Sequence, residues 1–222
     1  MDLIQFLQSN WDKTLFLTGE HIWIVGVSLV LATLIGVPIG VLITKNENLA
    51  QRVINGANIL MTIPSIALFG LMLPVLSLFG HGLGKVPAVI ALVLYSQLPI
   101  IRNTYTAIKN VPPSVVNAGR GMGMSNWMLL KEVEIPIAIP VILAGLRTAA
   151  VMNIGIAAIA AYIGAGGLGV FIQQGIDRVY GEMIVAGALL VSIFAILVDG
   201  GMAFLEHSIT PKGIKIGRKL GR

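Results

Sequence analysis

The sequence predicts an all-α, polytopic membrane protein of five transmembrane helices, with its N-terminus outside and its C-terminus in the cytoplasm. Three observations carry that prediction. First, 56% of the 222 residues are hydrophobic, 11% are charged, and mean hydropathy is +0.89. A soluble domain of this size has too little interior to hide so much apolar surface. Second, the apolar residues gather into five runs, each close to the roughly 20 residues a helix needs to cross the hydrocarbon. Third, the basic residues are segregated. Lys45, Arg52, Arg102, Lys109, Arg120, Lys131, Lys212, Lys215, Arg218, Lys219 and Arg222 fall on one side, and only Lys13, Lys85 and Arg178 on the other. The richer side is cytoplasmic by the positive-inside rule, and the arrangement needs an odd number of spans. The net charge of +5 therefore reflects membrane topology rather than a surface for nucleic acid.

Residues 1–21 mix Leu3, Ile4, Phe6, Leu7, Trp11 and Leu15 with polar residues. They lack a basic start and a small-residue cleavage site, so they read as an extracellular or interfacial helix rather than a signal peptide. The first span is Ile22 to Ile43, with Gly36 and Gly40 spaced for close helix packing and Pro38 between them. The second runs from Val53 to Phe79 and contains Pro64 and Pro74, which favour bends. The third is Val86 to Ile108, the fourth Ile137 to Ile163 and the fifth Met183 to Leu205. A glycine-rich run and a polar connector join the fourth to the fifth. Residues 22–205 thus form one transmembrane domain, and 206–222 a basic cytoplasmic tail.

The loop between the third and fourth spans, residues 109–136, has a pattern of its own. Pro112 and Pro113 suit a first helical turn, where no N–H is needed. A short helix is expected from Val115 to Met122, broken by Gly121 and Gly123. Ser125 is the expected N-cap of a second short helix, Asn126 to Val133, and Pro136 ends that helix or opens the next span. The product is a helix–turn–helix on the membrane face, with small residues Ala118, Gly119, Gly121 and Gly123 at its turn. Such a knob suits docking. The alternative is an interfacial helix pair with no partner.

This loop resembles the EAA loop of ABC importer permeases, whose pattern is Glu-Ala-Ala, three residues, Gly, nine residues, then Ile-x-Leu-Pro. Asn117, Ala118 and Gly119 fall on the first three positions, Gly123 on the glycine, Val133 and Ile135 on the aliphatics, and Pro136 on the proline. Asn replaces the acid, which removes any salt bridge from that position but not the docking shape. Further stretches, Thr62 to Leu68, Pro99 to Thr106, Gly121 to Met124, Ile139 to Ala149 and Ile163 to Gly169, are similar to permeases of osmoprotectant importers of the OpuC and ProW type. These take up glycine betaine, carnitine, choline or proline betaine, and the five-span form is nearer the OpuC kind. Methionine importer permeases share the plan and are the runner-up.

The resemblance implies a type I importer fold. It implies a second permease (a copy or a relative), cytoplasmic ATPase subunits that bind ATP and Mg, and an extracellular solute-binding protein. In that reading Asn117, Ala118, Gly119, Arg120, Gly121, Met122, Gly123, Met124 and Pro136 meet the ATPase. It also implies a hinge or outer gate at Gly164, Gly166, Gly167 and Gly169.

The residues themselves add limits. Gly164-x-Gly-x-x-Gly169 matches a dinucleotide fingerprint by letter only, since no βαβ unit surrounds it; a flexible outer loop is the expectation. No phosphate-binding Gly-x-x-x-x-Gly-Lys motif occurs, so a motor would lie on another chain. There is no cysteine, and His21, His81 and His207 are too far apart to suggest a metal site. No reactive constellation points to an enzyme. Arg147 and Asp199 are the charges deepest in spans. They are read as a structural pair or a link to a second subunit, against a role on the pathway. Thr62, Ser65, Tyr95, Gln97 and Asn153 either line a path or bond between helices. A self-contained channel or membrane scaffold is the alternative of another class.

Overall fold

A computed structural model describes residues 3–209; the tail expected at 206–222 lies largely outside the described residues. Those residues form ten α-helices and no strand. In chain order they are α1 (Leu3–Ser9), α2 (Trp11–Leu42), α3 (Glu47–Thr62), α4 (Ser65–Ser77), α5 (Lys85–Lys109), α6 (Pro113–Gly121), α7 (Asn126–Leu129), α8 (Ile135–Ile159), α9 (Gly169–Asp177) and α10 (Gly181–Ile209). Four helices are long and apolar enough to cross a membrane, and a fifth span results if α3 and α4 are taken as one bent pair.

The third predicted span is the axis of the bundle. Helix α5 buries Ala88, Ala91, Leu92, Ile100 and Thr104 completely and packs against both α2 and α8. The approach is close because the facing residues lack bulk. A Cβ on Gly36 would stand 2.8 Å from Ile100 Cγ2, one on Gly40 2.6 Å from Thr104 Cβ, and one on Gly145 2.7 Å from Asn103 Cβ. Small residues are what let membrane helices pack backbone to backbone. The glycine pair expected to pack in the first span therefore does so, against α5.

Three expectations about element limits need correction. The helix of the first span starts before Ile22: α2 is continuous from Trp11, so residues 11–21 belong to that helix and only α1 stands apart. The second span is not one helix. It breaks between Thr62 and Ser65 and turns by 98°. Pro64 drives Ile63 into extended backbone (φ −74°, ψ 124°), and the Tyr95 hydroxyl donates to the freed Ile63 carbonyl at 2.5 Å. The connector after Ile163 is not all loop, because it contains α9, which buries Phe171.

The molecule has two poles. At one, the end of α2 and the turn Ile43–Lys45 meet α3, and the α6–α7 segment lies beside them. At the other, α1 and α9 pack on the start of α10, and the glycine run lies beside the start of α5. Phe6 sits edge-on to Phe171 at 5.7 Å, Lys13 donates to Gln174 at 3.0 Å, and the Gly84 N–H donates to the Ile163 carbonyl at 2.8 Å.

Candidate functional site

The α6–α7 segment is built by local rules. Pro113 occupies the first turn of α6, and the helix ends in a left-handed Gly123 (φ +80°). Around that glycine, the Met124 N–H donates to the Gly119 carbonyl (3.1 Å) and the Gly123 N–H to the Arg120 carbonyl (2.9 Å). These two bonds are the Schellman arrangement that satisfies the last carbonyls of a helix. Ser125 then caps α7 by accepting from the Met128 N–H at 3.3 Å, as its position in the sequence predicts.

The glycines of the turn have different duties. Gly119 is buried at the crossing of the two short helices, where a Cβ would meet Leu129 Cδ1 at 2.6 Å and Met124 Sδ at 3.1 Å. Gly123 is needed for its backbone angle, since nothing lies within 4 Å of a Cβ there. Gly121 has neither constraint and faces open space. Asn117, Ala118, Arg120 and Met122 are exposed beside it, whereas Met124 and Pro136 are half-buried.

The second short helix differs from expectation. It stops at Leu129, and residues Leu130–Glu134 form a π-helical turn that runs without a loop into α8. Pro136 accordingly opens α8 within its first turn rather than ending a separate helix. The result is a protruding knob joined to a long span by continuous helix. Its surface carries two large exposed apolar side chains: Met122 is 76% exposed and Trp127 71%. A cleft of about 610 Å³ lies behind it, lined by Lys45, Arg120, Trp127 and Glu134 among others. Sequence reasoning passed over Trp127, whose signal is an aromatic in an aqueous loop, while Thr44, Lys45 and Glu134 join the site only through the fold.

The other predicted site residues lie elsewhere. Asn153 is fully buried and donates to Ser96 Oγ at 2.8 Å. Gln97 is buried and donates to the Val93 carbonyl at 2.9 Å, and Tyr95 holds the α3–α4 break. Thr62 is exposed and Ser65 half-buried at that break. So three of the five polar residues bond inside the bundle and two stand at its edge.

Gly164, Gly166 and Gly167 all have positive φ, and instead of an open loop they form a packed turn into α9. Glu20 accepts from the Gly167 N–H at 3.2 Å and pairs with Lys85 at 2.7 Å. His21 Nδ1 accepts from the Leu168 N–H at 3.2 Å, which leaves Nε2 to donate to the Ile154 carbonyl at 3.2 Å. A Cβ on Gly169 would strike the Ala158 carbonyl. Neither Glu20 nor His21 is marked by sequence pattern as a partner of this turn.

Arg147 and Asp199 do pair. Nε and Nη2 of the guanidinium reach Oδ1 and Oδ2 at 2.5 and 2.6 Å, joining α8 to α10. Unpaired, each charge would oppose insertion by about 2.5–3.5 kcal/mol. Among the described residues there is no cluster of three potential metal ligands.

Comparison with known proteins agrees with this architecture. Residues 36–211 match the family model described as "Binding-protein-dependent transport system inner membrane component". The "Osmoprotectant import permease protein OsmW" of Salmonella typhimurium is 52% identical over 215 residues, covering 97% of this chain and 100% of that one. The "Glycine betaine/carnitine/choline transport system permease protein OpuCB" of Bacillus subtilis is 44% identical, covering 96% of both chains. Among solved structures, one of the MetNI methionine ABC transporter in inward-facing form superposes with a TM-score of 0.80 at 23% identity, covering 92% of this chain and 98% of that one. An amino acid ABC transporter crystallised with histidines gives 0.78 at 19% identity, covering 94% and 99%. At such identities the two structures speak to the fold alone.

Proposed function

This chain belongs to the family of binding-protein-dependent transport system inner membrane components, and from that premise we propose that it is the permease subunit of an ATP-driven importer for quaternary ammonium osmoprotectants such as glycine betaine, carnitine and choline. The observation that carries the mechanism is the exposed knob of α6 and α7, continuous with α8 through the π-helical turn. A cytoplasmic ATPase subunit receives that knob. Residues 117–124 lie at its tip, and Met122 and Trp127 provide apolar surface for the contact. ATP and Mg stay on the ATPase; this chain contributes no catalytic group.

Force enters where the knob meets the ATPase and leaves along α8. Because no flexible loop intervenes, a shift of the knob is carried to the span rather than absorbed. Two permeases, identical or related, tilt together between inward-open and outward-open states, and an extracellular solute-binding protein delivers the solute to the outward state. Such coupling requires that the ATPase contact the two states differently. The basic pole lies in the cytoplasm, which places the knob within reach of the motor and the Gly164–Gly169 turn on the outer side.

The test is reconstitution. Vesicles holding this chain with a second permease, the ATPase and the binding protein are expected to take up radiolabelled glycine betaine only when ATP is supplied. Uptake by this chain alone would make it a channel and remove the proposal. A Cys at Gly121 labelled from outside intact cells would place the knob on the wrong face.

A further inference from the structure

We propose that the cleft between α8 and α10 at Arg147 and Asp199 is a solute site on the translocation path, taking a zwitterion whose carboxylate pairs with Arg147 and whose cationic centre pairs with Asp199. The inference rests on the osmoprotectant reading above and extends it to particular residues.

Depth comes first. Arg147 lies about 18 Å along α8 from Ile135, and Asp199 about 15 Å from the end of α10 at Ile209, at 1.5 Å per residue. Arg147 sits near the middle of its span and Asp199 within the cytoplasmic half of the fifth, six residues before Leu205. Exposure comes second. Their side chains are 35% and 40% open, so the pair is not sealed within the chain. Charges at that depth face a bundle interior or a water-filled cavity, not acyl chains.

The surroundings complete the site. The pair opens on a cleft of about 530 Å³ lined by Ala144, Thr148, Val151 and Met152. That volume falls in the range of roughly 300–1,000 Å³ typical of small-molecule pockets. The walls are small or flexible, and the hydroxyl of Thr148 is exposed. Asp199 occupies Nε and Nη2 of Arg147, and a guanidinium carries five N–H donors. Glu206 Oε2 stands 4.0 Å from Nη1, beyond hydrogen-bond reach, so donors on Nη1 and Nη2 remain for the carboxylate of a solute. Opposite charges side by side match a zwitterion: Arg147 faces its carboxylate, and Asp199 with Glu206, whose Oε2 lies 4.0 Å from Nη1 of Arg147, gives the site two carboxylates for its cationic centre.

Because the chain has no cysteine, Thr148→Cys gives a single reporter. In the fully assembled transporter, a hydrophilic thiol reagent is expected to label this Cys, and saturating glycine betaine with ATP is expected to slow the labelling. No labelling, in a protein that reacts once denatured, means lipid or the second permease covers the face, and the proposal falls. Labelling that betaine does not slow, in an assembly that transports betaine, removes the ligand assignment.

Arg147→Gln separates a pathway role from a merely structural one. It is expected to raise the KM for glycine betaine by at least about tenfold, the size of a lost hydrogen bond to a charged group, with a smaller effect on choline, which has no carboxylate. Equal losses for both solutes, in proportion to the amount of inserted protein, would overturn it. A wild-type assembly that takes up neither solute removes the osmoprotectant reading itself, whatever the labelling shows.

Discussion

Substitution of Gly123 tests whether the shape of the knob, and not merely its presence, transmits force. The residue is held at φ +80°, between two hydrogen bonds that close the end of α6. A residue with a Cβ pays about 1–2 kcal/mol for that conformation, while Asn visits it more readily. No atom of this chain lies within 4 Å of a Cβ there, so within the chain the backbone angle is the whole effect. A shift of that size changes the ratio of correctly turned to distorted knobs by roughly 5- to 30-fold. Coupling should therefore fall in the order Gly, Asn, Ala, Val. Gly121 provides the control. It is helical and faces open space, so Gly121→Ala should leave the turn intact. The assay is ATP hydrolysed per glycine betaine imported by the assembled transporter, with inserted protein measured in parallel. Wild-type coupling in Gly123→Val, or equal behaviour of Asn and Val, would refute the reasoning.

Other outcomes follow from the packing. Gly40→Leu drives a side chain into Thr104, whose Cβ is 2.6 Å from where a Cβ would stand, and should lower the unfolding temperature in detergent or prevent assembly. Tyr95→Phe strips the Ile63 carbonyl of its donor at the α3–α4 break; a loss of about 1–3 kcal/mol is expected in denaturant unfolding, and no loss would show that the break is held otherwise. His21→Ala removes the partners of the Leu168 N–H and the Ile154 carbonyl together, and should speed proteolysis between residues 164 and 178 while sparing the α6–α7 knob.

Much of the candidate site was legible because it is local. The first-turn proline of α6, the glycine that ends it and the serine that caps α7 each act on bonds within five residues, so their order in the chain is sufficient. The continuity of α7 with α8 was not legible. Pro136 can stop a helix or begin one, and the π-helical turn that settles the matter packs against α6, a contact the order of residues does not show. The packing of the glycine run was not legible for a similar reason. Its partners, Glu20 and His21, lie more than 140 positions away in sequence.

The sequence by itself determined the number of apolar runs, their segregated basic flanks and the turn of the knob. Hydropathy and capping depend on residue type and near neighbours, and both are written along the chain. Only the tertiary structure decided the 98° break at Pro64, the burial of Asn153 against Ser96 and the pairing of Arg147 with Asp199. In a medium without water, a freed carbonyl, a buried amide or a charge is stable only beside its complement. Which complement it meets is fixed by how the helices cross, and glycines facing α5 are what allow them to cross so closely.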